Sequence, residues 1–477
     1  MSKLFGAIDI GASSGRVIAG HLKKGKLSLS EVHRFPNGPK QHGDSLVWDI
    51  DELFKQVQWG IRELGARAER LGLDVQSIGI DTWAVDYGLV SEGELLMSPA
   101  CYRDPHNELG VAMVHKLISP EELYQISGVQ FLPFNTIYQL AKQKQIASEK
   151  LERADKALLL PDLIGYFLTG KMATELTNAS STGLLNVSTR QWDADLTGRI
   201  GLDPDLFPPL AKAGTVLGKL KNGFGPRLAN TNVVLVGSHD TASSVVGVPS
   251  PETNFAFLSS GTWSLLGAEI AQPILTNASR NANFTNELGV DDRIRYLKNL
   301  SGLWLLSESM RFWEESGNPQ DLSVLLNEAA VIQVDAQLEV TDPNFIAPGD
   351  MPLKIARQLE SRGLTVPTSP AEFTSLILRS LASTYALAFA DLEELTGLRF
   401  ERLHITGGGS QNDLLCQLTA DELQRTVVAG PVEATAIGNL LIQIRATEQN
   451  DQTLEDLRKI ILGSDFKLRT FTPKERN

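Results

Sequence analysis

Phe5-Gly6-Ala7-Ile8-Asp9-Ile10-Gly11-Ala12-Ser13-Ser14-Gly15-Arg16, running on into Val17-Ile18-Ala19, opens the chain with an apolar run, a turn of small residues and a second apolar run. That order predicts a β-hairpin. Its tip offers backbone N–H groups and two hydroxyls, a nest that can wrap phosphate oxygens, and Asp9 at its base can hold a divalent cation. Gly and Ser are also common in plain turns, so this stretch alone leaves both readings open. Its return fixes the fold. Phe255-Ala256-Phe257-Leu258-Ser259-Ser260-Gly261-Thr262-Trp263-Ser264 stands 250 positions later and continues into Leu265-Leu266. Phe255, Leu258, Gly261 and Ser264 occupy the places of Phe5, Ile8, Gly11 and Ser14, while Ser259 replaces Asp9. A single repeat at so long a period implies two domains with the same core, one per half. We place them at residues 1–246 and 247–477.

Only the first unit carries the acid, which suits a nucleotide whose metal and terminal phosphates favour the first half. A second acid stands in Val233-Val234-Leu235-Val236-Gly237-Ser238-His239-Asp240-Thr241-Ala242, where an apolar strand stops and a small-residue helix starts. Asp240 could be an N-cap or, placed in a cleft, the acceptor of a proton from a bound hydroxyl. Ser77 to Tyr87 reads as a strand ending in polar and aromatic residues, Asp81-Thr82-Trp83-Ala84-Val85-Asp86. Leu151 to Leu160 leads to a helix boundary at Pro161-Asp162, followed by a helix from Leu163 to Leu168. Thr374 to Leu395 is a long amphipathic helix. After it, Leu403-His404-Ile405-Thr406-Gly407-Gly408-Gly409-Ser410-Gln411-Asn412 runs through three glycines into an apolar-periodic stretch, Leu414 to Leu423. Gly407, Gly408 and Gly409 present bare N–H groups at a helix start, a place for nucleotide phosphate or sugar, or they serve a tight turn. Asn412 could meet the nucleotide or cap the helix. Neither the P-loop pattern nor the dinucleotide-binding glycine pattern occurs in its strand–turn–helix setting.

The chain has 477 residues, 42% hydrophobic, with a net charge of −13 and the two signs interspersed. A nucleic-acid or anionic-membrane partner would need a basic surface, so both are excluded. The start reads straight into a strand, and no apolar stretch looks long enough to span a membrane. Cys101 and Cys416 are too few for a disulfide framework, and seven scattered histidines lack metal-ligand spacing. A cytoplasmic protein is expected, with the oligomeric state open.

Asp9 to Arg16, the strand ending in Asp240, Ser260-Gly261-Thr262-Trp263 and Thr406-Gly407-Gly408-Gly409 together resemble the FGGY family of carbohydrate kinases, within the actin-like ATPase superfamily. Gly79-Ile80-Asp81-Thr82-Trp83, Tyr102-Arg103-Asp104, Gln130 to Thr136, Leu168 to Met172, Thr177-Asn178-Ala179 and Ala429 to Ala434 extend the resemblance, which runs from about residue 5 to residue 445. It implies an α/β fold of two ribonuclease-H-like (actin-like ATPase) domains with a central cleft and hinge. It also implies ATP as co-substrate, Mg²⁺, and a small ketose as partner. In that reading Asp240 is the general base, and Asp9 with Asp240 holds the metal. Ala12, Ser13, Ser14, Gly15 and Arg16 form the first phosphate loop, with Thr262 and Gly408 as nucleotide contacts. Asp81, Trp83, Ala84, His239, Asp240, Thr241 and Asn299 surround the sugar. The sugar implied is L-rhamnulose, phosphorylated at its primary hydroxyl. L-Fuculose, a pentulose or a related polyol stands as the alternative, and an actin-like ATPase without sugar chemistry as the rival of another class. Two positions depart from the closest pattern: Ala84 stands where Gly is usual, and Ser307 where a nucleotide-contacting Gln is common.

Overall fold

The computed structural model of the protein describes residues 2–448 and 451–474. The chain forms two compact units, the first comprising Met1–Thr253, Glu269–Tyr296 and Glu433–Phe466. The second comprises Asn254–Ala268, Leu297–Val432 and Lys467–Asn477. The division is therefore more interleaved than a single cut after residue 246, because late segments of the chain return to the first unit.

In the first unit the opening hairpin is β1 (Ser2–Ile10) and β2 (Ser14–Lys23), paired antiparallel and extended by β3 (Lys26–Pro36). The helix α1 (Ile50–Leu71) starts where Asp49 accepts the Glu52 N–H and ends at Gly72 in the left-handed conformation. It returns the chain to β4 (Val75–Thr82), parallel to β1, the crossover expected between parallel neighbours. Two further strands, β5 (Val216–Lys219) and β6 (Asn232–Val234), complete a sheet in the order β5-β6-β4-β1-β2-β3. From Leu4 onward β1 is buried at every position, because both of its faces are covered. On one face Leu64 of α1 reaches Gly6; on the other Phe5, Ala7 and Ile18 pack with Ile437, Leu440, Leu441 and Ile444 of the helix Ala434–Glu448. A satellite core under Tyr87, Leu89, Ile137, Leu140 and Leu159 supports the aromatic segment after β4.

In the second unit β7 (Ala256–Ser260) and β8 (Trp263–Ile270) form the other hairpin. The helix α3 (Pro370–Thr396) leads to β9 (Arg402–Thr406), which lies parallel to β7. The helix α4 (Asp413–Leu423) then leads to β10 (Thr426–Ala429), parallel to β9, with β11 (Arg469–Phe471) antiparallel beyond it. Each unit thus has a hairpin whose first strand is parallel to the strand after a long helix. The second turn is one residue shorter: Ile10 faces Gly15 across the first, but Ser260 faces Ser264 across the second. By register Ser264 therefore matches Gly15, not Ser14.

Several boundaries fall elsewhere than the sequence predicts. The strand from Ser77 ends at Thr82, and Tyr87–Ser91 belongs to a separate small sheet. Residues 151–160 divide between the helix Ser148–Arg153 and the strand Lys156–Leu159, and the next helix, Leu160–Thr169, takes Pro161 into its first turn, where no N–H is needed. The helix α3 is also long and apolar enough to cross a membrane, contrary to the expectation that no stretch is. Two thirds of its most apolar window (67%) is buried, as in a core helix.

Candidate functional site

Three carboxylates collect where parallel strands of the first unit end, the edge at which open α/β sheets bind ligands. Asp9 near the end of β1 stands level with Asp81 on β4, and Thr82 bridges to His239, the residue before Asp240. Arg16, opposite Asp9 in the hairpin, places Nε at 3.0 Å and Nη2 at 2.8 Å from Asp9 Oδ2. Its Nη1 lies 2.9 Å from Glu433 Oε2, so one guanidinium spans two acids. Burial opposes the charge of Arg16, but Asp9 and Glu433 outweigh it and raise its pKa. Asp81 is wholly buried; its Oδ2 accepts from Asn439 Nδ2 at 2.5 Å and its Oδ1 has no hydrogen-bond partner. Burial, then the charge of Asp9 and, against the Asn439 bond, that of Asp240 hold its pKa well above the usual carboxylate value.

Asp240 is the first residue of the helix α2 (Asp240–Val246), and it does not cap that helix in the usual way. Its Oδ1 takes the Thr241 N–H at 2.6 Å and the Thr241 hydroxyl at 3.2 Å, with His239 Nε2 at 3.4 Å. About a third of the side chain (34%) stays exposed. Low-dielectric surroundings, opposed by His239 and assisted by Asp9, raise its pKa. The backbone before it is pinned: Glu175 Oε2 accepts both the Ser238 N–H and the Ser238 hydroxyl at 3.0 Å. Behind the imidazole, Glu287 Oε2 lies 3.1 Å from His239 Nδ1 and 2.9 Å from Arg295 Nη2.

The aromatic segment after β4 is tied to one buried acid. Asp86 Oδ2 accepts from Trp48 Nε1 at 2.6 Å, Trp83 Nε1 at 2.9 Å and the Tyr102 N–H at 3.1 Å, and Oδ1 from Gln139 Nε2 at 2.8 Å. Burial pushes Asp86 up to about 6, against the pull of those bonds. The Trp83 ring lies 4.3 Å from that of Trp48, so its N–H is committed and the ring is largely inside. Ala84 and Val85 form a three-residue turn closed by the Asp86 N–H on Ala84 O at 2.9 Å, with Val85 at φ +69°. A β-branched residue there costs on the order of 1–3 kcal/mol, a strain characteristic of functional segments. Thr136 Oγ1 holds the turn through Val85 O at 2.7 Å.

In the first hairpin the turn Ala12–Ser14 is braced on its carbonyl side, by Gly11 N–H to Ser14 O at 2.9 Å and by Asn37 on Gly11 O and Ser13 O at 2.8 and 3.1 Å. Thr262, Gly407, Gly408, Gly409, Asn412 and Asn299 belong to the second unit. There the three glycines divide their work. A Cβ on Gly407 or Gly409 would meet Ser260 at 2.8 or 2.0 Å, whereas one on Gly408 would meet nothing within 4 Å. Asn412 uses its Oδ1 to cap α4 through the Leu415 N–H at 3.0 Å. Sequence reasoning missed Trp48, Asp86, Glu287, Arg295, Glu433 and Asn439 as supports. Only Glu433, in the quoted Ala429 to Ala434 stretch, and Asp86, beside Trp83, stood within motifs already singled out.

Residues 4–247 match the N-terminal domain of the FGGY family of carbohydrate kinases, and residues 256–447 match its C-terminal domain. The chain is 40% identical to a rhamnulokinase of Bacillus subtilis (strain 168), over 99% of this chain and 96% of that one. It is 41% identical to a rhamnulokinase of Enterococcus faecalis, over 92% and 89%. Among solved structures it is similar to a gluconate kinase from Lactobacillus acidophilus, with a TM-score of 0.79 at 18% identity, covering 99% of this chain and 94% of that one. A Plasmodium falciparum glycerol kinase with ADP gives a TM-score of 0.76 at 16% identity, covering 99% and 94%. These two likenesses concern the fold.

Proposed function

This chain belongs to the FGGY family of carbohydrate kinases, enzymes that use ATP and a sugar, and from that premise we propose that its acceptor is L-rhamnulose, phosphorylated at the primary hydroxyl with Asp240 as general base. The single observation that carries the role of Asp240 is its geometry. Its Oδ1 is engaged by Thr241 and faced by His239, and its side chain remains a third exposed (34%) at the sheet edge.

A sugar hydroxyl is a poor nucleophile near neutral pH. As the new O–P bond forms and the bond to ADP breaks, the hydroxyl proton passes to Asp240. Phosphoryl transfer proceeds through a loose transition state, so positioning and charge neutralisation carry most of the rate. N–H groups of Ala12 to Gly15 and the Arg16 guanidinium would serve the terminal phosphates. In the second unit, Thr262, Gly407, Gly408 and Gly409 would serve the nucleotide, with Gly408 leaving the open space. Around the sugar we keep Asp81, Trp83, Ala84, His239, Thr241 and Asn299.

The residues present fit Mg²⁺. Asp81 and Asp240 are pushed up partly by Asp9, a local excess of negative charge that a cation would relieve. Mg²⁺ needs only one or two carboxylates beside substrate phosphates, and among the described residues no group of three or more His, Cys, Asp or Glu is placed to hold a metal ion. Asp9 and Asp240 would hold it, and it would supply charge neutralisation at the phosphates. A cytoplasmic location is supported by two buried, unpaired cysteines, Cys101 and Cys416.

Purified enzyme with ATP, Mg²⁺ and a panel of L-rhamnulose, L-fuculose, L-ribulose and D-xylulose tests the substrate by ADP release. L-Rhamnulose should give the highest kcat/KM. A higher value for another sugar would replace it as the substrate, and ATP turnover indifferent to every sugar would remove the kinase reading.

A further inference from the structure

Gln130 to Thr136 is a stretch that the sequence singles out and the phosphoryl transfer leaves unused. In the first unit it borders a cleft of about 600 Å³, open mouth included, within the size range of small-molecule sites. None of the residues assigned above to sugar, nucleotide or metal lines it. Part of its wall is aromatic: the ring centroids of His115 and Tyr138 lie 5.5 Å apart, and that of Phe131 lies 5.9 Å from Tyr138. Arg280, Asn281 and Asn283 reach the cleft from a segment remote in the chain. The two segments are fastened to each other. Phe131 N–H donates to Asn283 Oδ1 at 3.0 Å, the Tyr124 hydroxyl lies 2.6 Å from Ser279 Oγ, and the Asn286 N–H donates to Gly128 O at 2.8 Å. The cleft is therefore built into the fold.

Two polar groups of the lining lack partners. Arg280 Nε is shielded from solvent and makes no hydrogen bond, and among the described residues no carboxylate pairs with this guanidinium. Asn135 is 4% exposed; its Nδ2 donates to Gln130 O at 3.1 Å, but its Oδ1 accepts nothing. A buried donor or acceptor without a partner is costly, the more so on a charged group. A guanidinium can only donate, and it binds phosphate or carboxylate best. The amide oxygen can only accept, which a sugar hydroxyl satisfies. We propose that this cleft is a second ligand site, for a monosaccharide that carries an anionic group: the anion on Arg280, a hydroxyl on Asn135 Oδ1 and the ring against the aromatic wall. The chain here faces two ways, since Asn135 lines the cleft while Thr136 beside it holds Val85 O at 2.7 Å. The second site is thus separate from the turn Ala84–Asp86 but next to the residue that holds it.

Calorimetric titration of the full chain tests this, with L-rhamnulose and a non-hydrolysable ATP analogue saturating the active site. The probes are D-fructose 1-phosphate, D-gluconate and neutral D-fructose. At least one of the anionic probes should bind with a Kd at or below about 1 mM, and comparison of the two tells phosphate from carboxylate. D-Fructose should bind at least about tenfold more weakly. Arg280→Gln removes the charge, and Asn281→Asp sets an acid among the exposed lining residues, where folding is not at stake. Each should weaken the anion about tenfold or more, while kcat without probe stays within about twofold of wild type. Loss of the binding heat in Arg280→Gln assigns it to this cleft whichever sugar the active site takes. Absence of binding by both anions, D-fructose binding as tightly as either, or unchanged affinity in Asn281→Asp or a folded Arg280→Gln overturns the proposal.

Discussion

In the first hairpin Asp9 stands level with Asp81 on the parallel strand beside it, whereas in the second Ser259 stands level with Thr406. The backbones are paired alike: one antiparallel neighbour, one parallel neighbour after a long helix. What differs is charge. The first unit gathers Asp9, Asp81 and Asp240 with Arg16 as the counter-ion, while the second offers hydroxyls, a shorter turn and an open glycine at Gly408. The same strand pairing thus carries an acidic cluster in one unit and an uncharged, glycine-lined turn in the other.

Converting the charged turn to the neutral pattern should have the largest effect. Asp9→Ser removes a proposed metal carboxylate and unties Arg16, so kcat should fall about 10²–10³-fold, with part of the loss recovered at high Mg²⁺. Steady-state assays across a Mg²⁺ series check this.

The next effect concerns a buried acid peculiar to the first unit. Asp86 is raised from 3.8 to about 6, so between those values the folded protein keeps a proton that the unfolded chain has lost. Stability should therefore fall as pH rises through that window, by about 3 kcal/mol at most, and stay lost above it. Urea unfolding of wild type and Asp86→Asn across pH 4 to 7 should show this slope in the wild type and its absence from the variant.

A smaller effect comes from charging the neutral turn. Ser259→Asp should raise the KM for ATP about tenfold by repulsion of phosphate while sparing the KM for the sugar. Smallest of all, Gly408→Ala should fold normally, since its Cβ has open space, yet raise the KM for ATP a few-fold. Gly409→Ala, whose Cβ would meet Ser260 Oγ at 2.0 Å, should instead cost stability on thermal unfolding, by about 1–3 kcal/mol.

The hairpins, the acid after β6 and the three glycines were legible because each is a local pattern of a few residues. Asp9 and Asp240 were legible as acids at strand ends, a position that by itself left Asp240 open between a helix cap and a base. Their supports were not, because the partners are remote in the chain: Trp48 to Asp86 spans 38 residues, His239 to Arg295 spans 56, and Asp81 to Asn439 spans 358. No periodicity links such pairs; only the folded sheet brings them together. The one-residue difference between the turns was hidden for a related reason. Small residues align by type, and only strand register shows that Ser264 faces Ser260 as Gly15 faces Ile10.

The most direct measurement is phosphoryl transfer by Asp240→Asn with L-rhamnulose and MgATP, alongside calorimetric binding of each ligand. Binding should stay within a few-fold of wild type while kcat drops about 10²–10⁴-fold. Turnover within about threefold of wild type would contradict a general base at this position.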